Sequence, residues 1–345
     1  MTESRRVLVT GNRGYIGSVL APHLVRAGYD VVGLDVGYFD DCTLVPDEIE
    51  VPTVRSDLRD VRSEHLRGVD AVVHLAALSN DPIGNLNARW TGEINHDATI
   101  RLAELAKEAG VTRFLFSSSC IMYGLSGLAD VDETAPLDPK TEYARSKVRS
   151  ERSLSELADD RFSPTFLRNG TIYGLSPRMR FDTVLNDFVG AALTTKLIRV
   201  HGDGTPWRPV VHVEDVARAF EAALRAPLDD IHNEAFNTGA DELNYQVIEL
   251  AQFAREAVPG SEIEVLAARG ADQRTYRADF GKWRRTFPGF EFKWDARRGA
   301  QELARALSRL GLTHDQYAGP TFTRLSWLSQ LLDSRAVDDS LRWAA

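Results

Sequence analysis

The chain has 345 residues, of which 43% are hydrophobic and 26% charged, and carries a formal net charge of −9. That is more chain than one hydrophobic core usually serves, so two closely packed lobes are expected. The acidic balance argues against a nucleic-acid or anionic-membrane surface, each of which needs a basic patch, and two cysteines, Cys42 and Cys120, are too few for a disulfide framework.

In chain order, Arg6 to Thr10 reads as a short strand whose apolar run Val7-Leu8-Val9 suits burial on both faces. Glycines at 11, 14 and 17 follow it, interleaved with Arg13, Tyr15 and Ile16. In such a strand-turn-helix, Gly11 allows the tight turn, Gly14 lets backbone approach a pyrophosphate, and Gly17 lets the helix lie close to the strand. The helix N-terminus then favours the anion. The first helix is expected from about Tyr15 to Ala27, with a local kink at Pro22 and a stop at Gly28. A second apolar run, Val31 to Leu34, ends in Asp35, where a carboxylate suits the 2′-hydroxyl of an adenosine ribose and repels a 2′-phosphate. The expected cofactor is therefore NAD.

Further strands are expected near Glu50 to Arg55, Ala71 to Leu75, Arg113 to Ser118 and Pro164 to Leu167, with helices at about Thr91 to Ala109 and Glu142 to Ala158. Asp57-Leu58 follows the third strand, and small residues at Ala76 and Ala77, before Leu78 and Ser79, would let the chain pass beside a dinucleotide. This alternation predicts an α/β fold, a Rossmann-type doubly wound parallel sheet with a smaller C-terminal substrate-binding lobe. Residues 1–170 with a return segment at 208–240 are assigned to the sheet, and 171–207 with 241–345 to the second lobe. That lobe opens with a basic cluster at Arg178 and Arg180 and closes in amphipathic helices, with Leu325, Leu328, Leu331 and Leu332 on one side. The early start of the first strand leaves no room for a signal peptide, and no apolar run approaches a membrane span of about 20 residues. A cytoplasmic protein is expected, with no membrane, nucleic-acid or metal partner.

Tyr143 and Lys147 lie four apart in an expected helix, which brings their side chains together on one face. A neighbouring ammonium favours the phenolate, making Tyr143 a plausible acid and base at neutral pH. The chain carries 35 arginines and six lysines among its 41 basic residues, so a lysine at this position is selective. Strand five ends in Ser117-Ser118-Ser119-Cys120-Ile121-Met122-Tyr123-Gly124, and ligands bind at the carboxyl ends of strands in such sheets.

Taken together, Thr10-Gly11-x-x-Gly14-x-x-Gly17, Asp35, His74-x-Ala76-Ala77, Asn95, Ser119 and Tyr143-x-x-x-Lys147 resemble the extended short-chain dehydrogenase/reductases that act on nucleotide sugars. The resemblance implies that Ser119 and Tyr143 bind the reacting sugar hydroxyl and that Lys147 holds the nicotinamide ribose. It places Asp57 and Leu58 near adenine, and Leu75, Ala76, Ala77 and Asn95 along the cofactor. On the substrate side it implies Ser79, Asn169, Arg178, Arg208, Arg269 and Asp272 around a nucleoside-diphosphate sugar. Thr171 stands where the family usually has asparagine, with Asn169 two residues upstream. The family's usual homodimer, built from the helices at 91–109 and 142–158, would bury their outward apolar residues.

Dehydratases of this family resemble one another in an Asp-Glu pair directly after the Ser/Thr, where this chain has Cys120 and Ile121. Ile121 transfers no proton, which disfavours dehydration and favours 4-epimerisation through a 4-keto sugar. A 3,5-epimerase using Cys120 for proton exchange is the alternative. A non-catalytic NAD-sensing scaffold is disfavoured by the intact Ser119, Tyr143 and Lys147.

Overall fold

The first strand, β1 (Arg6–Thr10), forms the middle of the molecule because Val7, Leu8 and Val9 are all fully buried between two layers of helix. Each such side chain contributes roughly 1.5–3 kcal/mol through burial. The computed structural model describes residues 5–79, 83, 87–124, 130–266 and 275–344. On one side β1 pairs in parallel with β2 (Asp30–Asp35), which pairs with β3 (Thr53–Arg55). On the other side it pairs with β4 (Ala71–His74), followed outward by β5 (Arg113–Ser119), then by the strands Ser163–Asn169 and Glu234–Thr238. The sheet therefore has seven parallel strands whose order reverses between β1 and β4. Such a switch point opens a crevice beyond the carboxyl ends of the strands.

The helix Gly17–Arg26 leaves β1 almost at once and continues through Pro22. The expected helix at 91–109 is observed in three pieces, Ala88–Gly92, a π turn at Glu93–Asp97 and Ala98–Glu108. The carbonyl oxygen of Asn95, inside that turn, accepts hydrogen bonds from the hydroxyls of Thr99 and Ser150, both at 2.9 Å. Inserted turns of this kind re-aim side chains near functional sites. Beyond the sheet, a small sheet joins Thr171–Tyr173, Trp207–His212 and Asn244–Gln246, and the helices Val184–Thr195, Val247–Ala257 and Ala296–Arg309 pack into one apolar core beside it. The leucine face of the C-terminal helix Arg324–Asp333 finds its partner within the chain: Leu328 and Leu331 bury against Tyr38, Trp90 and Ile94.

One expectation fails here. The helices Ala98–Glu108 and Glu142–Glu156 carry no outward apolar face. Their exposed positions are Arg101, Glu104 and Glu108 on the first and Arg145, Arg149, Arg152 and Glu156 on the second. Leu102, Ala103, Ala106 and Leu154 turn into the core, and Ile100 and Leu105 pack against it.

Candidate active site

A cleft of about 610 Å³ opens along the carboxyl edge of the sheet. Its floor is the glycine turn. Gly11 has φ +71°, and a Cβ there would stand 2.8 Å from the Ala76 nitrogen and 2.9 Å from its Cα. At Gly17 a Cβ would lie 2.1 Å from the Gly11 carbonyl oxygen. Both positions thus need glycine to bring β1, the segment after β4 and the helix together. Asp35 ends β2 in the cleft, its Oδ1 accepting from the Gly37 N–H at 2.8 Å and its Oδ2 from the Arg13 N–H at 3.0 Å. Burial raises its pKa above the ordinary carboxylate range against those two bonds. Asp57 and Leu58 line the same end. Burial pushes the Asp57 carboxyl up, but Arg59, bonded to it at 2.6 Å, outweighs burial and holds it low. A helix N-terminus, a glycine cradle that a Cβ would fill and a carboxylate fixed 18 residues beyond Gly17 fit a dinucleotide with a free 2′-hydroxyl.

Leu75, Ala76, Ala77, Leu78 and Ser79 form one wall. Asn95 does not line the cleft; its side chain accepts from the Leu78 N–H at 2.8 Å and donates to the Leu78 carbonyl at 3.0 Å, pinning that wall in place. His74 ties β1 to β4 from behind, at 2.6 Å from the Thr10 hydroxyl and 2.7 Å from that of Thr99. Burial, helped by Lys147, lowers its pKa to about 3, so the ring is neutral.

Ser117, Ser118, Ser119 and Tyr143 line the cleft as well. Thr141 caps the helix Glu142–Glu156, its hydroxyl accepting from the Ala144 N–H at 3.2 Å, which places Tyr143 in the first turn, where the helix dipole favours an anion. Lys147 is 4% exposed; its ammonium donates to the Ser117 carbonyl at 2.7 Å and lies 5.6 Å from the Tyr143 ring centre. Burial lowers its pKa to about 7, while Glu151 acts to keep it charged. The fully buried floor beneath is a network that sequence reasoning missed. Glu151 accepts from Ser118 Oγ at 2.5 Å and from Arg168 Nη2 at 2.6 Å, and Arg168 Nη1 donates to Tyr123 Oη at 3.0 Å.

Besides Asn95, the expected site residues Arg13, Lys147, Cys120 and Arg178 are not among those that line the cleft. Cys120 is fully buried and donates to the Arg168 carbonyl at 3.1 Å, and burial pushes its thiol far above the ordinary range. The cause is the 3₁₀ turn Cys120–Tyr123, whose three-residue repeat aligns Cys120 with Tyr123 toward Asn237 and leaves Ile121 in the cleft. Arg178 forks onto Asp47 at 2.9 and 3.2 Å and is absent from the lining; Arg180, two residues on, takes that place. Ser79, Asn169, Thr171 and Arg208 line the cleft as expected, while Arg269 and Asp272 lie outside the described residues. Four further charged residues of the lining, Asp182, Asp187, Arg199 and Arg324, carried no motif.

Comparison with known proteins is consistent with this geometry. UDP-glucose 4-epimerase of Bacillus subtilis (strain 168) is 28% identical over 336 residues, covering 86% of this chain and 94% of that protein. Among solved structures, MoeE5 in complex with UDP-glucuronic acid and NAD matches with TM-score 0.77 and 28% identity, over 89% of this chain and 100% of that one. The dTDP-glucose 4,6-dehydratase DesIV of Streptomyces venezuelae, with NAD bound, matches with TM-score 0.77 and 26% identity, over 92% and 99%. The model of the NAD-dependent epimerase/dehydratase family matches residues 7–239, and the chain belongs to that family and takes NAD as its cofactor.

Proposed function

We propose that this enzyme is a nucleotide-sugar 4-epimerase working through a 4-keto intermediate. The observation that carries the reading is the end of β5: Ser119 and Ile121 line the same cleft as Tyr143, while Cys120 is turned into the core. A phenol and a hydroxyl suffice to handle a C4 hydroxyl. Elimination or C3/C5 exchange needs another acid or base, and neither position after Ser119 supplies one.

Tyr143, as phenolate, takes the C4 hydroxyl proton, and Ser119 hydrogen-bonds the same oxygen. Lys147 stabilises the phenolate from behind the helix face and holds the cofactor's ribose. Bound NAD supplies the acceptor for the C4 hydrogen and returns it. Ser79, Asn169, Thr171 and Arg208 hold the nucleotide sugar, with Arg269 and Asp272 as further ligands. After the 4-keto ring has turned and the hydrogen has returned to its other face, Tyr143 gives the proton back to the C4 oxygen, and no net redox occurs. The enzyme acts as a cytoplasmic homodimer in this reading.

The test is incubation in heavy water with UDP-, dTDP-, GDP- and CDP-hexoses, following C4 configuration and ring deuteration by NMR. Inversion at C4 without ring deuterium is expected. Deuterium at C3 or C5, or loss of water from the sugar, would overturn the reading.

A further inference from the structure

Arg324 enters the cleft from the C-terminal helix, far in sequence from the glycine turn. It is 2% exposed. Its Nη2 donates to the Arg178 carbonyl at 2.7 Å, and its guanidinium lies 4.3 Å from the ring centre of Phe39. Its Nη1, also buried, has no hydrogen-bond partner, and Arg324 forms no ion pair among the described residues. The other cations near the glycine turn are committed: Arg13 to Asp40 at 2.5 Å and Arg180 to Asp182 at 2.8 Å. Asp182 acts on Arg324 as well as on Arg180, so one carboxylate serves two buried guanidinium groups, and buried positive charge in excess is costly and calls for an anion.

We propose that Arg324 holds the diphosphate of the bound dinucleotide, so that the C-terminal segment closes over the cofactor. Position identifies the anion. Phe39, which carries the guanidinium, lies four residues past Asp35 and, like Arg324 and the glycine turn, lines the cleft. Burial, with Arg180 beside it, lowers the Arg324 pKa to about 10, a penalty that a dianionic neighbour relieves. The segment that delivers Arg324 is stitched to the cofactor end of the cleft. The Trp327 indole donates to the Tyr38 carbonyl at 2.6 Å, that of Trp343 to the Val36 carbonyl at 2.7 Å, and Arg59, which holds Asp57, donates to the Ser340 carbonyl at 2.7 Å.

The experiment is calorimetric titration of the full chain, freed of nucleotide, with NAD, ADP-ribose and adenosine, for the natural protein and for Arg324→Met and Arg324→Lys. Arg324→Met should weaken NAD and ADP-ribose by about 10- to 100-fold and leave adenosine unchanged, with Arg324→Lys recovering part of the loss. Phe39→Leu, which removes only the stacking ring, should weaken the same two ligands by a smaller factor and serves if Arg324→Met does not fold. Unchanged NAD affinity in Arg324→Met, or in Phe39→Leu where that variant stands in for it, would overturn the assignment. So would an unchanged NAD affinity accompanied by weaker UDP-glucuronate binding to the NAD-loaded protein, which would make the sugar the anion. The titrations need no turnover, so they stand apart from the 4-epimerase reading.

Discussion

Glu151 is the residue whose loss should be felt both in stability and in the site. It is 6% exposed, and its oxygens receive three contacts from Arg168, at 2.6, 3.1 and 3.2 Å, and one from Ser118 at 2.5 Å. In Glu151→Gln the amide nitrogen cannot accept from Arg168, so a buried guanidinium is left without a counter-ion, at a cost of about 3–5 kcal/mol. Adding Arg168→Met removes the orphaned charge, and the double variant should lose roughly 2 kcal/mol less than the sum of the single variants. Urea unfolding at fixed NAD concentration, followed by the fluorescence of the six tryptophans, measures both quantities. Glu151 also opposes the burial that lowers Lys147 to about 7. Without it the ammonium deprotonates at lower pH, and the alkaline limb of the kcat profile should move down in pH. A single-variant loss below about 1 kcal/mol, or strict additivity, would refute the claim that the pair is a dry, coupled unit.

Tyr143→Phe should cut turnover by ~10²-fold or more with NAD binding retained, while Cys120→Ser, whose hydroxyl can still reach the Arg168 carbonyl, should change kcat less than about threefold; the reverse order would return Cys120 to the chemistry. Asp35→Ala should weaken NAD and improve tolerance of NADP, because Arg13 and Arg55 both stand within reach of Asp40 at that end of the cleft; unchanged preference in a titration counts against it. His74 stays neutral in the folded chain down to about pH 3, whereas an unfolded histidine takes its proton near 6.5. The unfolded state therefore binds the extra proton between those values, and stability falls as pH drops through that window by up to about 1.4 kcal/mol per pH unit. His74→Gln should flatten this slope in urea titrations. A homodimer across the helices Ala98–Glu108 and Glu142–Glu156 must be held by Glu104 and Glu108 against arginines, so sedimentation should show it dissociating as salt rises; a monomer at micromolar concentration and low salt removes it.

What the sequence makes legible is what a short-range rule determines. The strands β1, β4 and β5 are readable because burial on both faces demands unbroken apolar runs, and the glycine turn because φ +71° at Gly11 and the contact at Gly17 admit nothing else. Tyr143 and Lys147 are readable because one helical turn fixes their relation. The π turn at Glu93–Asp97 is not, since the apolar positions that it shifts still satisfy a helical pattern on either side. Asn95 is visible as a motif residue, yet its work on Leu78 depends on that turn.

The residues that sequence reading misplaced share one physical cause, the direction of a side chain in irregular backbone. A two-residue spacing cannot tell Arg178 from Arg180 in a loop; only the fold shows that one meets Asp47 and the other Ser79 and Asp182. Cys120 is a candidate for proton exchange only through the resemblance to 3,5-epimerases, and the chain passes there from extended backbone into a 3₁₀ turn, whose change of period rotates the thiol away. Arg324 has no local signal at all, since its meaning lies in the missing counter-charge, a property of the packed molecule. Where two guanidinium groups crowd one carboxylate inside a cleft, the charge deficit marks the place of the ligand more directly than any motif. In this chain that excess of positive charge lies in the cleft that the glycine turn also lines.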